Sequence, residues 1–373
     1  MECRSPLAPQ AEGATGRPDL AVGNVEKLEG RSAHGVSGLQ TPCVAFAAQC
    51  LPDALEVSAP SISQWAAKTV QWLIERLYGY NGSWRLHVFC VPTTQRHVTP
   101  ARCRYIEQAV ADLLRKKQRR LLRTWNRDPK PLALPDEGLL QLALRTSTVG
   151  YWSAIAPDRW HDLRRCVSRF PGGVVEVPAD RQAPSRAFAK LAEVELRLAR
   201  PIVAGETCVD LGSSPGSWAY WALRRGAHVV AIDRSPLRDD LMHNDRLTFL
   251  QADAFHYQPA EPVDWLLCDV IAFPSRVIEL AERWLARGWC RHFCVTIKFR
   301  GRGEYSKIDS LKADLEAGGH DFYLRRLTAN KNEVTLFGAR SCYNAKRDRE
   351  SELFERTQPC QTKRFRVRRR PNP

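Results

Sequence analysis

From residue 185 onward, short apolar runs alternate with stretches of helical periodicity, and nothing else in the chain constrains its fold as strongly. The runs at 207–211, 228–232, 247–250, 265–268, 293–297 and 334–337 are strand-length. Between them, 218–225, 275–287 and 305–317 repeat apolar residues at helical spacing. Such alternation builds an α/β domain, a doubly wound and largely parallel sheet with helices on both faces. Ligands of these sheets sit at the carboxyl ends of the strands, where the strand order reverses. Strand ends are therefore where chemistry is expected.

The first of those ends reads Val209-Asp-Leu-Gly-Ser-Ser-Pro-Gly-Ser-Trp218. Gly212 and Gly216 allow a tight turn and close approach of backbone to a ligand. The spacing is neither the Gly-x-Gly-x-x-Gly of a dinucleotide loop nor a phosphate loop ending in Gly-Lys-Ser/Thr. Asp210 stands where a phosphate would be repelled, so a cationic or zwitterionic ligand suits the turn. Asp233 ends the next strand, where an acid can accept hydrogen bonds from ribose hydroxyls. Asp253 ends the strand after that and can accept from an adenine amino group. Three acids at consecutive strand ends fit S-adenosylmethionine. The expected cofactor set is Asp210, Gly212, Ser213, Pro215, Gly216, Ser217, Trp218, Asp233, Asp253 and Asp269.

Upstream, 61–79 reads as an amphipathic helix, 84–91 as a strand, 102–125 as a helix with one basic face, and 139–156 as a further strand-like stretch. Together they form a small α+β unit, followed by a linker over 177–184. Of 373 residues, 56 are Lys or Arg and 41 Asp or Glu, a net charge of +15 that favours a polyanionic partner, nucleic acid first. The run 363–370 holds six basic residues in eight. The first 20 residues lack an apolar signal core, and no stretch is long and apolar enough to span a bilayer. The 12 cysteines include no Cys-x-x-Cys pair, which points to a cytoplasmic chain without a structural metal. Cys290 and Cys294 fall in an apolar run and read as strand packing.

The 209–218 run resembles the first motif of Rossmann-like methyltransferases of the FtsJ type, with Ser217 where a glycine is usual. The segments 183–186 and 284–291 resemble the RlmM family more particularly, which methylates a ribose 2′-hydroxyl of 23S rRNA. The resemblance implies a Lys-Asp-Lys-Glu tetrad, and the chain offers Lys190, Asp269, Lys298 and Glu333 in order. It further implies an RNA partner, 23S rRNA, and an RNA-binding, THUMP-like unit ahead of the methyltransferase. Four segments are expected: a disordered arm over 1–40, the RNA-binding unit over 41–180, the methyltransferase over 181–342 and a basic tail over 343–373.

Ribose hydroxyls are poor nucleophiles, so the proton must leave as the bond forms. Lys298, directly after five apolar residues, is the expected base. Lys190 and Glu333 would position the hydroxyl, and Asp269 would stand between Lys298 and the methyl donor. A non-catalytic RNA-binding protein on the same fold, and a nicotinamide-dependent oxidoreductase of the same fold class, are the alternatives.

Overall fold

The computed structural model describes residues 45–91, 98–128, 135–300 and 305–341. The expected arm at 1–40 and basic tail at 343–373, with its run at 363–370, lie outside the described residues. Two sheets organise the rest.

The first sheet has four strands in the order β1-β4-β3-β2. In chain order its elements are β1 (Leu55–Ser58), α1 (Ile62–Arg76), β2 (Trp84–Cys90), α2 (Pro100–Lys117), α3 (Arg119–Thr124), β3 (Gly138–Leu144) and β4 (Val149–Ile155). Helix α1 starts where the Ser61 hydroxyl accepts from the Gln64 amide, satisfying a donor that the first turn leaves open. Trp65, Thr69 and Leu73, four residues apart, then bury one face. Thr99 caps α2 in the same way, and Pro100 supplies the fixed φ of a first turn. Trp84 and Trp125 stack beneath α2 and α3, 5.1 Å between ring centroids.

Two expectations change here. The helix expected over 102–125 is broken at Gln118, whose backbone leaves the helical region (φ −146°, ψ 64°). Arg120 explains the break: it donates to the carbonyls of Leu77 and Tyr80 and to Asn81, holding α3 onto the end of α1. The stretch expected as one strand over 139–156 is the antiparallel hairpin β3–β4. Its turn is made without glycine, because the Thr146 hydroxyl accepts from the amides of Thr148 and Val149.

A short helix α4 (Trp160–Leu163) leads towards the second sheet. That sheet has seven strands in the order β10-β11-β9-β8-β5-β6-β7. Its elements are α5 (Phe188–Leu198), β5 (Thr207–Leu211), α6 (Ser217–Arg224), β6 (His228–Asp233), α7 (Asp239–Met242), β7 (Leu247–Gln251), β8 (Val263–Cys268), α8 (Pro274–Ala286), β9 (Cys290–Lys298), α9 (Ser306–Ala317), β10 (Asp321–Arg325) and β11 (Glu333–Ala339). Strands β7, β6, β5, β8 and β9 are parallel, and β11 enters antiparallel between β9 and β10. Cys290 and Cys294 lie buried along β9, as strand packing requires. Leu266, Leu267, Phe293 and Val295, fully buried at the centre of this sheet, each contribute roughly 1.5–3 kcal/mol.

Polar contacts lock the two sheets together. Arg197 on α5 donates to Ser168 Oγ and the Gly173 carbonyl while paired with Glu193. Arg164 and Arg165 reach Asp321 and Glu316 across the junction. The 45–50 segment runs between both: Gln49 bonds Gln141 of β3, the Ala45 carbonyl accepts from Arg326, and Phe46 packs against Phe299 and Tyr305 at 5.7 and 4.7 Å.

Candidate active site

The strand order reverses at β5, between β6 on one side and β8 on the other, and there a crevice of about 570 Å³ opens at the carboxyl ends. The loop after β5 forms its floor. Gly212 has φ +73°, and a Cβ there would lie 2.3 Å from Val270 Cγ1. Gly216 has φ +105°, and its added Cβ would meet Leu241 Cδ1 at 2.5 Å. Gly212 has no room for a side chain against Val270, and both glycines hold a backbone conformation that side chains rarely adopt.

Around this loop the expected cofactor residues come together. Asp210, Gly212, Ser213, Pro215, Ser217, Trp218, Asp233, Asp253 and Asp269 all line the crevice. Gly216 lies behind it, at the start of α6. Asp210 is buried and accepts from the Ala219 amide at 3.0 Å. Burial pushes its carboxyl up to about 8; the Ala219 bond opposes this, and the charges of Asp269 and Asp233 add to it. Asp233 accepts from the amides of Ser214 and Ser235, which fixes the acid against the loop. Asp253 is held below the usual carboxylate range by the Phe255 amide and, against a smaller effect of burial, by Arg234 at 2.6 Å. Trp218 serves packing as well, its indole donating to the Ala187 carbonyl at 2.8 Å. Ser217 is buried and its hydroxyl lies 2.7 Å from that of Ser185, so the extra atom ties the linker to the loop.

The four charged residues also converge. Glu333 opens β11 directly opposite Lys298, which closes β9. Asp269 follows β8, the neighbouring strand. Lys190 comes from α5 and bridges the two acids, 2.7 Å from Glu333 and 3.1 Å from both oxygens of Asp269. Lys298 lies 3.0 Å from Asp269 Oδ1 and donates to the Asp269 carbonyl at 2.7 Å. Burial acts to lower the pKa of Lys190, but the carboxylates of Asp269 and Glu333 outweigh it and the net direction is up. Lys190 is thus held as an ammonium. Lys298 and Asp269 line the crevice, whereas Lys190 and Glu333 stand behind them.

Residues 183–286 match the model of the FtsJ-like methyltransferase family. The likeness is one of this segment, less than a third of the chain. The FtsJ-like segment takes S-adenosylmethionine as its cofactor, and the residues lining the crevice fit it. Its acids suit a sulfonium and an ammonium, and Ser213 Oγ is buried in the loop with no hydrogen-bond partner among the described residues. The chain is 34% identical over 181 residues to a ribosomal RNA large subunit methyltransferase M of Thauera aminoaromatica, covering 46% of this chain and 50% of that one. It is 38% identical over 158 residues to the same-named protein of Pseudomonas putida (strain GB-1), covering 40% and 44%. The chain spans about half the length of the relatives it matches. Among solved structures, TrmN from Thermus thermophilus aligns with a TM-score of 0.29 at 16% identity, over 78% of this chain and 82% of that one.

Sequence reasoning missed several side chains of the FtsJ-like domain's crevice. Arg234, Phe255, Ile271, Phe273, Arg276 and Arg300 all line it. Arg300 carried a usable signal: it lies two residues beyond Lys298, at the same strand end. The others belong to no motif. Among the described residues, no helix is long and apolar enough to cross a membrane and no cluster of metal-binding side chains occurs.

Proposed function

We propose that this chain is an S-adenosylmethionine-dependent ribose 2′-O-methyltransferase acting on ribosomal RNA, with 23S rRNA as its target. The observation that carries this reading is the cluster of Lys190, Asp269, Lys298 and Glu333 at the rim of a donor-type crevice. The names of the relatives support rRNA as the substrate, and the net charge of +15 suits a polyanion. The unit over 41–180 is then the RNA-docking part and 181–342 the catalytic part.

In this mechanism Asp210, Asp233, Asp253 and the Gly212–Gly216 loop hold the cofactor, which supplies an electrophilic methyl group. Lys298 faces the crevice and, once it has given up its own proton to solvent, accepts the 2′-hydroxyl proton as the oxygen attacks. Asp269, already in contact with Lys298, receives the ammonium that results. Lys190, kept charged, fixes Asp269 and Glu333 so that neither swings away. Orienting the hydroxyl and removing its proton together account for large rate gains, the proton transfer alone for roughly 10²–10⁴-fold.

The test is transfer of tritiated methyl from the donor to unmodified 23S rRNA transcript. Label resistant to alkaline hydrolysis at one ribose, falling at least ~10²-fold in Lys298→Ala with donor affinity kept, is the expected result. Label on a base, or equal label with Lys298→Ala, sinks the reading.

A further inference from the structure

The turn that follows Asp269 carries two apolar side chains facing water. Ile271 is 88% exposed and Phe273 is 53% exposed. Both line the crevice on the side of Asp269 and Lys298. Holding apolar area in solvent is unfavourable by about 25 cal/mol per Å², so the turn gains by being covered. Arg300 lays its guanidinium over the Phe273 ring, 4.7 Å from the centroid. A guanidinium laid over a phenyl ring leaves an outer face of each, flat surfaces of the kind on which nucleobases stack.

Resting on the reading of a ribose methyltransferase, we propose that Phe273 and Arg300 seat the base of the nucleotide whose 2′-hydroxyl is methylated. A ribose that reaches a lysine inside a crevice must leave its helical stack, and the unstacked base then needs a replacement surface. That surface has to lie within one nucleotide of the proton acceptor. Phe273 lies four residues after Asp269 and Arg300 two after Lys298, and both share their crevice. Arg300 also brings positive charge towards the adjoining phosphates.

On the same reading the donor's adenine goes to Asp253, which lines the same crevice. Beside Asp253, Phe255 carries the Arg276 guanidinium at 4.1 Å. The crevice thus holds two aromatic–guanidinium pairs, Phe255 with Arg276 and Phe273 with Arg300, and they adjoin where the Arg276 amide donates to the Phe273 carbonyl at 3.1 Å.

The test uses the full chain saturated with S-adenosylhomocysteine and a fluorescein-labelled oligoadenylate, single-stranded or paired with oligouridylate. Phe273→Ala should weaken single-strand binding about tenfold, Arg300→Ala should weaken it too, and Phe273→Trp should restore it. Duplex binding, in which the bases are already stacked, should be alike in wild type and Phe273→Ala. The proposal is overturned if Phe273→Ala leaves single-strand affinity unchanged, weakens the duplex equally, or weakens S-adenosylhomocysteine binding in parallel. Methyl transfer to 23S transcript by the same proteins is scored separately. A wild type that binds through Phe273 yet methylates no RNA overturns the ribose reading and keeps the stacking seat. Full transfer with no dependence on Phe273 does the reverse.

Discussion

Asp210 shows how far one carboxyl can depart from its ordinary behaviour. It sits 1% exposed beneath the donor loop, and burial raises its pKa to about 8. The unfolded chain gives up this proton near pH 4, while the folded chain keeps it to about 8. Over that window the unfolded state binds fewer protons, so stability falls as pH rises. A cationic ligand reverses the preference by favouring the carboxylate. Affinity for S-adenosylmethionine, whose sulfonium carries the positive charge, should therefore climb between pH 6 and 8, with proton release seen as buffer-dependent heats in calorimetry. Asp210→Asn should flatten both dependences, and an unchanged climb in that variant would rule the residue out as their source.

Lys190 and Lys298 make a contrasting pair of substitutions. Lys190→Ala strips the mostly buried Glu333 carboxylate of its ammonium and leaves Asp269 with Lys298 alone, a loss of about 3–5 kcal/mol that thermal melts would register. Lys298 is more exposed and shares only one acid, so Lys298→Ala should melt close to wild type.

Among the elements, the loop between β5 and α6 decides the shape of the donor site. Gly212→Ala would force a side chain at positive φ into Val270, a strain of order 1–3 kcal/mol, and S-adenosylhomocysteine affinity should drop roughly tenfold or more in a fluorescence titration. This loop was readable in the sequence because its glycines follow an apolar run and precede a helical one. The central strands β5, β8 and β9 were readable for a similar reason, being buried on both faces and so largely apolar. Strand β10 was not. Its sequence begins with Asp321 and ends with Arg325, and those charges meet Arg164 and the carbonyls of Ala48 and Cys166, all distant in the chain. Strand β1 escaped notice because it is a short edge with only Val57 turned inward. The tetrad could be placed because each member adjoins a recognisable strand or helix. Phe273 and Arg276 could not, since an exposed aromatic at a helix start has no periodicity to mark it.

For the molecule as a whole, the excess of positive charge makes a quantitative claim. If rRNA engages six or more phosphates, its affinity should fall roughly 10³-fold between about 50 and 200 mM salt. A filter-binding series would show it, and a flat response would detach the net charge from RNA docking. The two sheets meet through buried arginines rather than a pliable linker. Glu193 accepts from the Thr328 amide while gripping Arg197, which itself reaches back to Gly173. Domain orientation is thereby written into the interior.

Phe46 has a further consequence. From the first of the described residues it presses on Phe299, the immediate neighbour of Lys298, and on Tyr305, whose hydroxyl holds Asn332 beside Glu333. The lysine end of the crevice is thus propped from behind by a segment that does not line it. Shaving away that prop would leave cofactor capture whole while Lys298 drifted, a defect that no titration with donor alone would reveal.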